Sequence, residues 1–312
     1  MTRFFIAIAL LFGAMRLGAY GVRDFSGREF EFEAPPRAVT VVPSVTETVF
    51  LIGAGERLLG VSRYCSYPES LASSPEGAAV RDAIAGRPKL GGFVDPDYEK
   101  ILSLRPDIAV LPATSDSTVR DKLERIGIPV FLVEPDGLDS IAANTRLLGR
   151  LFRCEGRAEE VARRVESAIA PAAPGEREAW GDISLKSPDG SGRPLRAIFM
   201  FGKMAAGENS FAGGLIVRKG LENVVGKDMA AWPVPSREFV LSSAPEVLII
   251  QADTVADFEG LRKSYEGDPV WSKTPAVRNS RIYFVPTELV IRPSPTGATA
   301  PLPRLVPRDG KK

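Results

Sequence analysis

Glu99 and Glu238 head the same short pattern, once in each half of the chain. Residues 99–108 read EKILSLRPDI and residues 238–247 read EFVLSSAPEV. At a constant offset of 139 residues, Leu102 matches Leu241, Ser103 matches Ser242, Pro106 matches Pro245 and Asp107 matches Glu246. Carboxylates across a cleft can run glycoside hydrolysis, although no pair stands out for that chemistry. Two copies of one helix-to-strand segment at fixed register imply two similar lobes, and two lobes enclose a cleft that can bind a ligand.

Other reactive groups are few. Histidine is absent, which excludes Ser-His-Asp and Cys-His relays, histidine-ligated zinc or haem, and an imidazole base near neutral pH. Cys65 and Cys154 are the only cysteines; export would permit a disulfide between them, and neither has metal-ligand spacing. Ser44 and Glu47 fit a capping box, which accounts for both residue types without a catalytic role for Glu47. Gly53, Gly55 and Gly60 follow a predicted helix and precede a strand. That is the reverse of a dinucleotide fingerprint, so they read as a helix C-cap and turn.

The elements that must position these residues alternate. Strands are expected at 38–42, 58–61, 107–111 and 129–133, and helices at 44–52, 97–104 and 119–126, a β-α-β order that implies a mostly parallel sheet with helices on its faces. Residues 138–170 carry helical periodicity without a strand signal and read as one continuous helix of about 50 Å, weakened at Gly149 and Gly156. A Pro- and Gly-rich piece follows, read as an exposed loop. Strands at 195–201, 246–250 and 281–285, with helices at 214–221 and 237–242, repeat the alternation. The expected organisation is a leader at 1–21, a first α/β lobe at 22–137, a linker helix at 138–171, a loop at 172–194, a second α/β lobe at 195–295 and a proline-rich tail at 296–312.

Charge and N-terminus bound the setting. Forty Lys and Arg against 39 Asp and Glu leave a formal charge of +1, so no nucleic-acid partner is expected. Arg3 precedes an apolar run at 4–12, and Ala19-Tyr20-Gly21 has the small-x-small form of a signal-peptidase site. The run is too short to span a bilayer, which takes about 20 apolar residues. No cysteine lies near that point for a lipid anchor. The mature chain is expected to be soluble, monomeric, and periplasmic or otherwise extracytoplasmic.

Residues 22–68, VRDFSGREFEFEAPPRAVTVVPSVTETVFLIGAGERLLGVSRYCSYP, together with GGFVDPDYEKILSLRPDIAVL, FMFG and WPVPSREFVL, resemble the periplasmic binding proteins that deliver vitamin B12 and ferric siderophores to ABC importers. The resemblance extends over most of residues 22–295. It implies no enzyme. The architecture implied is class III: two Rossmann-like lobes with parallel-rich sheets, bridged by a single long α-helix, with the ligand held between the lobes. In the cobalamin branch a glutamate on each lobe docks into arginine pockets of a permease dimer, and these align with Glu99 and Glu238. The same branch implies a ligand site at Tyr64, Phe93, Phe201 and Trp232, with Glu288 and Arg292 at polar positions. The sequence departs from that branch at Pro112 and Phe93, where it has tryptophan, and at Glu288, where it has aspartate; the end after Pro295 also lacks a closing apolar helix.

Cobalamin or a related corrinoid is therefore the ligand implied. The alternative within the family is a ferric siderophore or haem, with Arg63, Arg81 and Arg292 available to a charged chelate. Outside it, a secreted carboxylate-dependent glycan hydrolase and a sensor module on the same scaffold remain open.

Overall fold

The computed structural model describes residues 19–65, 75–135, 137–170, 179–180, 183–184, 187–188, 190–287 and 293–299. Strand β1 (Tyr20–Arg23) pairs antiparallel with β2 (Glu29–Phe32). Asp24 closes their turn by accepting the Arg28 amide at 3.0 Å, and its other oxygen accepts the Leu132 amide at 3.1 Å, which seats the hairpin on the first lobe. Tyr20 and Gly21, the last residues of the expected leader, are strand residues here, and the Tyr20 hydroxyl donates to the Leu151 carbonyl at 2.6 Å. The rest of that leader, 1–18, lies outside the described residues.

The first lobe is built from β3 (Ala38–Val39), α1 (Pro43–Leu51), β4 (Leu58–Gly60), α2 (Pro75–Ala85), α3 (Tyr98–Ser103), β5 (Ile108–Pro112), α4 (Ser117–Arg125) and β6 (Val130–Val133). The sheet order is β4-β3-β5-β6 with every pairing parallel. All residues of β5 and β6 are buried, as expected of a parallel sheet covered on both faces. One expectation fails at α1. The cap position falls on Val42, with Pro43 in the first turn and no side-chain cap, because proline, lacking an N–H, suits the first helical position and draws the helix start ahead of Ser44. Glu47 is instead buried within the helix and accepts the Thr296 amide at 3.1 Å, 249 residues away.

The expected continuous helix at 138–170 is also corrected. It is two helices, α5 (Ser140–Phe152) and α6 (Glu155–Ile169), broken where Arg153 takes a left-handed φ of 56°. They pack as an antiparallel hairpin: Gly149 lies so close to Ala158 that a Cβ would not fit, and the Arg146 guanidinium holds both Glu159 and Glu166. The bonds from Arg146, with a further one from Arg163 at 2.8 Å, draw the Glu159 carboxyl down to about 2. Periodicity on either side of Arg153 is helical, so it could not reveal the two residues that reverse the chain. Both helices bridge the lobes: α5 places Ile141 in the second-lobe core and Leu148 in the first, and α6 places Val161 in the first and Val165, one turn on, in the second.

Past a two-stranded hairpin, β7 (Ala179–Trp180) and β8 (Ile183–Ser184), the second lobe contains β9 (Arg196–Phe201), β10 (Met204–Ala205), α7 (Phe211–Arg218), β11 (Glu222–Asn223), α8 (Arg237–Ser243), β12 (Val247–Ala252), α9 (Val255–Gly267), α10 (Pro275–Arg278), β13 (Ile282–Pro286) and α11 (Pro295–Thr299). Its sheet runs β10-β9-β12-β13, with β11 also on β9, and only β10 is antiparallel. Strand alternation sends Ala197, Phe199, Val247 and Ile249 into one core cluster and Ile198, Met200, Leu248 and Ile250 into another, one on each face.

The internal repeat is structural. Asp97 caps α3 by accepting the Lys100 amide, and Ser236, 139 residues on, caps α8 by accepting the Phe239 amide. Arg105 and Ala244 end the two helices at left-handed φ of 49° and 42°. The Asp107 amide donates to the Arg37 carbonyl at the entrance to β3, and its carboxylate accepts from the Arg37 amide and guanidinium. Glu246 does the same with Arg196 at the entrance to β9, and adds a bidentate bond from Arg193 at 2.6 and 2.9 Å.

Candidate functional site

In open parallel sheets, ligands bind in the crevice beyond the carboxyl ends of the strands. In the first lobe that end is built by two loops. The Leu90 amide donates to Val61 and the Arg63 amide to Gly91, each at 2.9 Å, so the chain leaving β4 is zipped to residues 88–91. The Asp97 amide returns to the Leu90 carbonyl at 2.9 Å and closes the loop just as Asp97 begins α3. Glycine is required here: Gly91 has φ of 84°, and a Cβ on Gly92 would press against the Tyr64 ring and the Arg63 guanidinium. Tyr64, Phe93 and Glu99 therefore arise from one loop cluster. Tyr64 is 58% exposed, with the Arg63 guanidinium 5.2 Å from its ring centre, and Phe93 is half-buried against the first-lobe core.

The second lobe repeats the arrangement. Phe201 ends β9, Gly202 turns at φ of 56°, and Met204 pairs back on Phe201. The Ala205 amide donates to Pro233 at 2.8 Å and the Gly207 amide to Ala231 at 2.9 Å, which lays residues 231–233 beside β10. Trp232 stands edge-on to Phe201, with ring centres 6.2 Å apart at 72°. The loop then enters α8 at Ser236 and reaches Glu238. Phe93 and Trp232 share the 139-residue offset of Glu99 and Glu238, so the repeat begins before the helices and includes an aromatic residue in each lobe. The sequence contained this signal, hidden because phenylalanine and tryptophan differ in type.

Glu99 and Glu238 occupy the same position in the first turn of α3 and α8. Both are exposed. Neither takes a hydrogen bond or ion pair among the described residues, and the capping work next to them is done by Asp97 and Ser236. Their carboxylates are thus left facing solvent, with favourable first-turn placement as their only local role.

Three further expectations can be located. Arg63 is ion-paired with Asp95 and Arg81 with Asp82, so neither offers an uncompensated charge. Pro112 is buried as the last residue of β5. Cys65 is buried 3.1 Å from the Thr46 hydroxyl and Cys154 sits at the α5–α6 break, and no disulfide joins them. Glu288 and Arg292 lie outside the described residues.

A cavity of about 370 Å³, unmarked by any motif, lies where the chain leaves β6 for α5. Glu134, Asp139, Glu208, Arg218 and Lys227 are among its lining residues, and Asp139 binds Arg218 at 2.7 Å. None of the four aromatics lines it.

Two parallel-sheet lobes joined through α5 and α6, with matching loop clusters at the carboxyl ends of both sheets, define a two-lobed solute-binding protein. The chain belongs to the family described as periplasmic binding protein, whose model matches residues 39–289. It is 26% identical over 236 residues to the vitamin B12-binding protein of Yersinia pestis, covering 72% of this chain and 75% of that one. Its fold is similar to the periplasmic haem-binding protein RhuT of Roseiflexus sp. RS-1 at a TM-score of 0.63 and 22% identity, over 84% of this chain and 95% of that one. It is likewise similar to MolA of Haemophilus influenzae, the cognate molybdate periplasmic binding protein of an ABC transporter, at 0.68 and 16%, over 90% and 88%. These relatives share an architecture and differ in the ligand each is named for. They are substrate-binding proteins and not enzymes, which sets aside the glycan hydrolase. Among the described residues no helix is long and apolar enough to cross a membrane.

Proposed function

We propose that this protein captures cobalamin or a related corrinoid between its lobes outside the cytoplasm, after loss of an N-terminal leader, and delivers it to the permease dimer of an ABC importer. The observation that carries the reading is the matched pair of clusters: an aromatic residue and an unpaired glutamate at equal positions in each lobe. Aromatic faces from Tyr64, Phe93, Phe201 and Trp232 suit a broad, partly apolar macrocycle, and a few polar groups, Glu288 and Arg292 among them, suffice for its amide rim. A ferric catecholate would need several convergent cations, because burying its charge unpaired is costly. Arg63 and Arg81 already hold carboxylates, which favours the neutral ligand. The vitamin B12-binding relatives at 26% identity point the same way.

Delivery rests on Glu99 and Glu238. Two exposed carboxylates on pseudo-symmetric lobes match a two-fold permease, and their charge orients the encounter more than it strengthens it. The test is titration of the purified mature chain with cyanocobalamin, a panel of ferric siderophores and haem, followed by tryptophan fluorescence and heat. Stoichiometric, tight cyanocobalamin binding is expected. A siderophore or haem response with none to cyanocobalamin would overturn the corrinoid assignment while leaving the transport role.

A further inference from the structure

We infer that Leu102 and Leu241 are a second, apolar half of the docking surface, each forming with its glutamate a carboxylate-plus-leucine contact that a two-fold symmetric protein partner meets twice. The inference rests on the docking role proposed for Glu99 and Glu238. Leu102 is 50% exposed and Leu241 44%, and they lie at the same position of the repeat, three residues after the glutamates. That spacing puts each leucine beside its glutamate on the helix surface, with Cβ atoms about 5–6 Å apart. Each helix buries only its intervening residue, Ile101 in α3 and Val240 in α8, so the Glu-Leu stripe is the face that both helices turn outward.

A single exposed leucine needs no explanation. Recurrence does. Of the nine large apolar side chains exposed among the described residues, four lie on these two short stretches: Val94 and Leu102 in the first lobe, Val234 and Leu241 in the second. The neighbouring polar groups are also matched. Ser103 donates its hydroxyl to the Lys100 carbonyl at 2.7 Å, and Ser242 to the Phe239 carbonyl at 3.2 Å. Each serine is thereby satisfied by its own helix, and the carboxylate and the leucine are the exposed groups that recur at equal positions in both lobes, beside exposed Lys100 in one and Arg237 in the other. A partner that fits carries a lysine or arginine and an apolar side chain at the same separation, presented twice about a two-fold axis.

The experiment measures affinity of the full, ligand-free chain for its importer's permease complex in lipid nanodiscs, over a range of salt. Variants are L102A, L241A, the double L102A/L241A, and E99Q and E238Q. Each leucine variant should weaken binding about five-fold and the double variant about 25-fold, with the salt slope unchanged. The glutamate variants should flatten that slope. Wild-type affinity in both leucine variants, beside weakened glutamate variants, overturns the inference and keeps charge docking. Loss from one leucine alone overturns the two-fold claim. Weakened leucine variants beside glutamate variants of unchanged affinity and salt slope overturn the paired carboxylate-plus-leucine contact and the docking role of the acids together.

Discussion

At the turn from helix to strand the first lobe uses Asp107 with one arginine, and the second uses Glu246 with two. The pattern is the same in both: a left-handed residue, a proline, and an acid whose amide donates to the carbonyl, and whose carboxylate accepts from the amide, of the arginine opening the lobe's first strand. The surroundings differ. The Asp107 side chain is 43% exposed and that of Glu246 only 9%. Burial pushes the Asp107 carboxyl up, and the guanidinium and amide of Arg37 outweigh it, leaving it below its usual value. Hydrogen bonds from Arg193, opposed by burial and helped by the Arg196 amide, draw Glu246 down to about 2. The repeat thus preserves a hydrogen-bonding pattern and lets each lobe set its energy through burial. The same division holds at the cleft end, where Tyr64 stands in solvent under Arg63 while Trp232 is braced by Phe201 and the second-lobe core.

The largest effect should come where the lobes are most alike. The charge-reversed E99K/E238K protein should lose importer-dependent uptake by more than about 100-fold, because the proposed docking would set each lysine against a cationic site, while ligand affinity stays within about two-fold. Either single reversal should fall between, by similar amounts. Normal uptake by the double variant would remove the docking role, and strong asymmetry between the singles would break the equivalence of the lobes.

Ligand affinity should instead divide the lobes. Truncating Trp232 to alanine is expected to weaken cyanocobalamin binding about 30-fold, and the corresponding Phe93 variant about five-fold, since the indole offers more area and is held in place by Phe201. Isothermal titration of both, with a thermal melt to check folding, would show it. Equal losses would mean that the two aromatics contribute alike despite their different bracing.

How far the sequence could be read follows from the same residues. The parallel lobes were legible because β5, β6 and β12 are apolar runs bounded by turns. The repeat was legible because its prolines and acids are fixed by geometry. The hairpin at Arg153 was not, since any residue that adopts φ of 56° there leaves the apolar period intact on both sides. Glu47 was misread because the capping pattern is local, while its partner, the Thr296 amide, is 249 residues distant. Within the candidate site the aromatics could be named from resemblance, but their bracing by Gly92, Arg63 and Phe201 depends on loop-to-loop hydrogen bonds that leave no periodic mark.

The contrast between Asp107 and Glu246 has a stability consequence with a definite sign. A carboxyl held below its usual value stabilises the fold above the unfolded pKa, and that contribution is lost as pH falls toward the folded one. For Glu246 the window runs from 4.5 down to about 2. Because Arg193 and Arg196 are about a third exposed, screening reduces the contribution to about 1–2 kcal/mol. E246Q should therefore unfold at lower denaturant at pH 7 and show a shallower loss of stability across that window. D107N should cost under about 1 kcal/mol, as suits a half-exposed pair. A larger cost for D107N than for E246Q would reverse the ranking drawn from burial.

The smallest effect tests whether the two turns are equivalent at the backbone. Arg105 and Ala244 hold left-handed conformations that cost an L-residue about 1–2 kcal/mol and glycine little. Against that, glycine raises the entropy of the unfolded chain by about 0.4–1 kcal/mol. The difference leaves A244G more stable by about 0.5 kcal/mol. R105G should match it, because the contact that Arg105 makes to the opening strand is through its carbonyl, which accepts from the Arg37 guanidinium at 3.0 Å and survives the substitution. Equal gains in chemical denaturation would mean that the two turns are one device used twice. A gain from A244G with a loss from R105G would assign work to the Arg105 side chain, and the first lobe's turn would then be held by more than its backbone and Asp107.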